Sequence, residues 1–168
     1  RKNTNKAELV MPVKTILLAS LAYLLSFALV LVVVSPVQAK AFPHLQGEVS
    51  LMFLPHGVRV LVAWLLGWRS ILALAPAALI VQLYMLGPDG ITPATLALVM
   101  IGVTVAPVTL WALGRAGVPG LSADAPRVCW RCLMAAGFVV SVLNALLSNL
   151  VRGAPFEHYV GYLIGDFF

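Results

Sequence analysis

The sequence predicts an all-α fold: a polytopic helical membrane protein with five complete transmembrane helices and the start of a sixth. Three observations carry this. Of the 168 residues, 61% are hydrophobic and 10% are charged, whereas ordinary soluble domains carry about 25% charged residues. The apolar residues fall in continuous runs, several of them near the ~20 helical residues that cross a bilayer. The basic residues collect on one side of those runs, as they do in cytoplasmic loops. The net charge of +5 is scattered singly between apolar spans. That is not the clustered basic surface of a nucleic-acid binder, so the expected partner is the lipid bilayer and no nucleic acid.

Residues 1–12 read as a cytoplasmic N-terminal arm, with Arg1, Lys2 and Lys6 against Glu8. A disordered tail and an interfacial helix both fit it. Residues 13–168 read as one helical transmembrane domain. The first span, 13–35, is continuously apolar and asks for no special account. Ser35-Pro36-Val37-Gln38-Ala39 resembles a signal-peptidase site, but the apolar run exceeds the usual 7–15 residues or so of a signal peptide. A retained helix is expected.

An outside loop with Phe42, Pro43, His44 and Gln46 leads to the second span, 49–68. Gly67-Trp68-Arg69-Ser70 is a tight inside turn, and Trp64 and Trp68 are placed to anchor at the interface. The third span is 70–86, with Pro76 as a kink. Gly87-Pro88-Asp89-Gly90 is a strong turn signal on the outside. The fourth span, 93–113, is thinned by Gly102, Ala106 and Pro107, which permits close helix contact. The longest inside loop, 114–127, follows, and then the fifth span, 128–151. A sixth begins near Phe156 and is cut at Phe168. With no initiator methionine either, the sequence reads as a piece of a longer chain.

Arg1, Lys2, Lys6, Lys14, Arg69, Arg115, Arg127 and Arg131 fall on the inside of this topology, and Lys40 and Arg152 on the outside. The expected location is therefore the bacterial cytoplasmic (inner) membrane, multi-pass, with a cytoplasmic N-terminus.

Within the second span, Phe53-Leu54-Pro55-His56-Gly57-Val58-Arg59-Val60-Leu61 is the least apolar stretch. Arg59 lies about ten residues from either end of its span, roughly 15 Å deep. A charge there costs about 2.5–3.5 kcal/mol on insertion scales, and it faces protein or water rather than lipid. Asp166 lies nine residues beyond Glu157 on a span entered from the same face. The two share a depth, and pairing them offsets part of the cost. His56 precedes Arg59 by one turn, which puts both on one face. Pro55 suits a first helical position. Either a new helix starts there, offering its N–H groups to an anion, or Pro55 is a simple kink and His56 bonds a neighbouring carbonyl.

Ser141, Asn144 and Ser148 form a polar stripe at i, i+3 and i+7 on the fifth span. Asn144 is nearest the depth of Arg59 and is expected to face the site. The candidate buried polar site is thus Pro55, His56, Gly57, Arg59, Asn144, Gly165 and Asp166, able to take a small anionic ligand. His44 and His158 fall in loops, so His56 has no histidine partner at membrane depth, and no metal or cofactor is expected. Cys129-Trp130-Arg131-Cys132 is a lone CxxC on the inside, expected as free thiols in a reducing compartment. Nucleophile-elbow, zinc-protease, P-loop and paired-carboxylate patterns do not occur, which argues against an enzyme.

Two places resemble the bacterial membrane-associated sensor (MASE-type) domains. One is Leu54-Pro55-His56-Gly57 followed by Leu65-Leu66-Gly67-Trp68-Arg69, similar to the family's proline–glycine turn, apolar helix, and glycine before a basic residue. The other is Gly165-Asp166, similar to its late Gly-Asp pair. The resemblance runs from about residue 49 to the end of the sequence. It implies a signal-input module, with a histidine kinase or cyclic-dinucleotide enzyme following the membrane part, and site roles for Pro55, Gly57, Gly165 and Asp166.

The functional expectation is an integral membrane sensor with a small polar site among its helices. The alternatives are an accessory or structural subunit of a larger membrane complex, or a substrate-binding subunit of a transporter. Other membrane subunits or a homo-oligomer are the expected protein partners.

Overall fold

The computed structural model describes residues 13–41, 54–121 and 129–153. Among them every regular element is helical. α1 (Val13–Leu29) passes through a π-helical stretch, Val30–Val34, into α2 (Ser35–Ala41). α3 (Leu54–Leu66) and α4 (Ser70–Leu86) are joined by the 3-10 turn Gly67–Arg69. α5 (Pro93–Arg115) and α6 (Trp130–Arg152) complete the described bundle.

Four segments are long and apolar enough to cross a membrane: Val13–Val37, Leu54–Leu86, Pro93–Arg115 and Trp130–Arg152. This agrees with the expected all-helical, membrane-compatible fold. Five complete spans and the start of a sixth are not established by it: the expected second and third spans fall within one continuous apolar segment, Leu54–Leu86. The described part of the second is the 13 residues of α3, short of the ~20 that span a bilayer. The N-terminal arm and the sixth segment lie outside the described residues.

The segment Leu54–Leu86 does not run straight. Gly67 has φ +57, a left-handed conformation that glycine adopts without the Cβ penalty. The Ser70 hydroxyl donates to the Gly67 carbonyl at 2.6 Å and ties the turn. Two contacts show the reversal. Trp68 meets Trp111 at 6.1 Å between ring centroids, and Arg59 reaches Gly102. α3 therefore runs alongside α5 in the same direction, and α4 runs back in the opposite direction, packed against α1, α3 and α5.

At the opposite end, Gly87 (φ +71) and the turn Pro88–Gly90 reverse the chain. Thr92 then caps α5: its hydroxyl accepts from the Thr95 N–H at 3.2 Å, and its own N–H donates to Thr95 Oγ1 at 2.7 Å. This reciprocal pair satisfies two orphan groups at the helix start. α4 continues through Pro76, and α5 through Pro107.

Two apolar clusters share α3. The first joins α1, α3, α4 and α5 and is built on small residues: Ser70, Ala73 and Ala77, spaced three and four apart on α4, are each 0% exposed. Lipid tails are as apolar as leucine, so membrane helices gain from packing contact rather than from burial, and small residues bring backbones together. Ser20 of α1 uses that approach to donate to the Ala73 carbonyl at 2.6 Å. The second cluster joins α3, α5 and α6 through Val105, Leu110, Leu133 and Val140, with Ala63, Ala106 and Ala136 packed among them. Lys14, Arg69, Arg115 and Arg131 lie at the end of the bundle marked by the Gly67 turn, while Lys40 and Arg152 lie at the other.

Candidate functional site

Arg59 sits on α3 eight residues before Gly67, about 12 Å from the turn at the helical rise. Its Nη2–H donates to the Tyr23 hydroxyl of α1 at 2.5 Å. Its Cζ lies 5.2 Å from the centroid of the same ring, within cation–π range. Opposite, the guanidinium lies flat against α5 where Gly102 has no side chain: a Cβ there would stand 3.1 Å from Nη1. Tyr23 is 1% exposed and Arg59 is partly buried. One hydroxyl, one aromatic face and one bare stretch of backbone therefore seat a charge between three helices. The planar fork of the guanidinium carries five N–H donors and suits carboxylates and phosphates.

His56 is buried, and its Nε2 lies 3.3 Å from the Gly137 carbonyl of α6. That contact requires Nε2 to carry the proton. His56 thus bonds a carbonyl, as one of the two expectations for this stretch had it. One helical turn separates His56 from Arg59, yet their side chains part: His56 reaches α6, while Arg59 reaches α1 and α5. Pro55 is fully buried in the first turn of α3, where a missing N–H is tolerated. The residues that precede Leu54, and with them any helix break, lie outside the described residues. Gly57 is exposed, and a Cβ on it would meet nothing within 4 Å.

On α6 the buried polar face is not the expected stripe. Ser141 and Asn149 are each 1% exposed, with Ala145 between them, while Asn144 and Ser148 are partly buried at its edge. The Asn149 Nδ2–H donates to the Ala145 carbonyl at 2.9 Å. Ser141 Oγ and Asn149 Oδ1 have no hydrogen-bond partner among the described residues. Gly165 and Asp166 lie outside the described residues, as does the expected pairing of Asp166 with Arg59. Among the described residues the one acidic side chain is Asp89, in the Pro88–Gly90 turn.

Tyr23 was not anticipated, because the first span reads as featureless. A signal was present: Ser20, Tyr23 and Ser26 fall at i, i+3 and i+6 in an otherwise apolar run, so they share one face.

At the Gly67 end a cleft of about 670 Å³ opens between α3, α5 and the chain beyond α5. Trp64, Trp68, Trp111 and Arg115 line it. The Trp64 indole N–H donates to the Gly120 carbonyl at 3.3 Å, and the Arg115 guanidinium lies 5.1 Å from the Trp111 ring centre. Beside it, the expectation of free thiols is corrected: Cys129 and Cys132 form a disulfide. The reason is local. With Cys129 at the N-cap and Cys132 in the first turn of α6, their Cα atoms stand 5.2 Å apart, well inside disulfide reach.

Comparison with protein-family models, with curated proteins and with solved structures finds no match.

Proposed function

We propose that this chain is the signal-input part of an integral membrane sensor, similar in plan to MASE-type domains. In this reading it crosses the bacterial inner membrane five times, begins a sixth crossing, and keeps its N-terminus in the cytoplasm. The charge distribution supports that orientation. Lys14, Arg69, Arg115 and Arg131 share the Gly67 end, against Lys40 and Arg152 at the other, and cytoplasmic ends are the basic ones.

The observation that carries the reading is Arg59. A guanidinium seated against Tyr23 and Gly102, partly buried at membrane depth, marks a functional site by default. Its depth matches that of Asp166 when each span is counted from the same face. The natural ligand class is a small anion that enters beside Arg59 and competes for, or completes, its carboxylate pairing.

The test is a thermal-unfolding screen of the purified chain in nanodiscs against acetate, succinate and inorganic phosphate. At least one anion raises the midpoint of the parent protein and leaves Arg59→Gln unmoved. A well-folded parent that responds to none of them, with Arg59→Gln merely less stable, supports instead a structural subunit in which Arg59 acts as packing glue.

A further inference from the structure

The Cys129–Cys132 pair stands apart from Arg59, and the sensor reading makes no use of it. Cys129 is the N-cap of α6, and the Cys132 N–H donates to its sulfur at 3.2 Å. A helix start offers N–H groups and the positive end of the macrodipole. These favour a sulfur most when it carries the full negative charge of a thiolate. The cap therefore strengthens on reduction, and the dithiol state is favoured over that of a pair placed elsewhere.

The cross-link has little value as a staple. Two residues separate the cysteines, so closing the ring removes little chain entropy. The start of α6 is already held by Leu133 and Ala136, which are 4% and 1% exposed. Both cysteines are partly buried rather than sealed. Cys132 packs against the α3/α5/α6 cluster, while Cys129 sits at the end of the helix. Trp130, between them, is 61% exposed, and its ring lies 6.4 Å from Trp64, which lines the cleft.

We propose that Cys129 and Cys132 form a redox-active site that undergoes thiol–disulfide exchange at the Trp-lined end of the bundle. A thiolate attacks the Cys129 sulfur. The bond to Cys132 breaks, a mixed disulfide forms on Cys129, and Cys132 leaves as a thiolate that takes a proton from water. A second thiolate then attacks the outer sulfur of the mixed disulfide. It releases a disulfide product and returns the Cys129 thiolate to the helix cap. Two thiols give up two electrons and the protein disulfide accepts them. The reverse sequence oxidises a dithiol. The chemistry holds on either side of a membrane and does not depend on the sensor reading.

The test uses the folded chain in nanodiscs, equilibrated in glutathione buffers, acid-quenched, labelled with a maleimide and weighed intact. Two labels appear together, with half the protein reduced in a buffer of about 10 mM reduced glutathione and about 1 mM glutathione disulfide. Cys132→Ser accumulates one glutathione on Cys129 at least about tenfold faster than Cys129→Ser does on Cys132, because the Cys129 sulfur accepts the N–H at the helix start and is the better-stabilised thiolate to attack glutathione disulfide. Reduction also shifts the tryptophan emission, and Trp130→Phe removes that shift. A disulfide that survives this buffer in the folded chain and opens only on denaturation overturns the proposal. So do equal adduct rates in the two serine variants. Should either variant fail to assemble, the parent titration decides alone.

Discussion

On one side of α3, Arg59 meets the Tyr23 hydroxyl of α1 and the bare backbone of α5 at Gly102; on the other, His56 meets a carbonyl of α6. The packing differs in parallel. The α1/α4 side closes on Ser70, Ala73 and Ala77, all 0% exposed, and Ser20 bonds across it to the Ala73 carbonyl, while Ser26 and Ser70 bond back to Tyr23 and Gly67. The α6 side is filled by Val and Leu with Ala63, Ala106 and Ala136 among them, and Asn149 bonds back to its own helix. Ser141 Oγ and Asn149 Oδ1 have no partner among the described residues. Small residues bring backbones near enough for a short side chain to bridge them. Where α1 meets α4 a serine reaches across, whereas between α3 and α6 the link is made by the longer His56.

The largest expected effect comes from breaking the small-residue side. Ala77→Leu adds three carbons where no surface is free. Overpacking of this kind costs about 1–3 kcal/mol, and here the upper part of that range is expected because a whole helix contact must open. Equilibrium unfolding in mixed detergent measures it. A loss below about 0.5 kcal/mol would mean that the α1/α4 contact has room after all, and the contrast between the two sides would fall.

Tyr23→Phe comes next. It keeps the ring that faces the guanidinium and removes the hydroxyl that accepts from Nη2. Hydrogen bonds to charged groups contribute about 1.5–3 kcal/mol, so a loss near 1.5 kcal/mol is expected in the same assay. His56→Gln changes the other side, where an amide can still donate to the Gly137 carbonyl. Its cost should be smaller. Equal costs would show that Arg59 draws no special support from α1.

Much of this arrangement is legible in the sequence, for physical reasons. Gly67 and Gly87 announce their turns because few other residues adopt a positive φ, and Pro93 suits the first turn of α5. Arg59 announces itself because a mid-span charge is costly. Gly102 was rightly read as a place of close helix contact, although not as the floor beneath Arg59. What the sequence concealed depends on rotation about helix axes. α1, α4 and α5 carry little amphipathic signal, since lipid and core accept the same residues, and on the more amphipathic α6 the polar residues Ser141, Asn144, Ser148 and Asn149 do not fall on a single line. Which of Asn144, Ser141 and Asn149 points inward was therefore not readable from a stripe alone. The parting of His56 from Arg59 was hidden too, because spacing fixes where a side chain starts and not which neighbour its length reaches. The disulfide is hidden because the Cys-x-x-Cys spacing permits ring closure without showing which redox state the pair adopts.

The smallest effect separates two glycines. Gly137→Ala on α6 places a methyl 3.9 Å from Val60 Cγ1, an ordinary contact. Alanine is the better helix former by up to about 1 kcal/mol, so the variant should be neutral or slightly more stable. Gly102→Ala gains the same propensity, but its methyl would stand 3.1 Å from Arg59 Nη1. The guanidinium must then move by a few tenths of an ångström while Tyr23 holds its other edge, so most of the gain is lost. The difference between the two variants, about 0.5–1 kcal/mol in favour of Gly137→Ala, isolates the seating of Arg59 from helix propensity, which is common to both. Combining Gly102→Ala with Arg59→Gln sharpens the result. With a shorter neutral side chain the methyl has room, and the two effects should not add. Strict additivity would place the guanidinium away from Gly102 and remove the close-packed side from the account of how Arg59 is held.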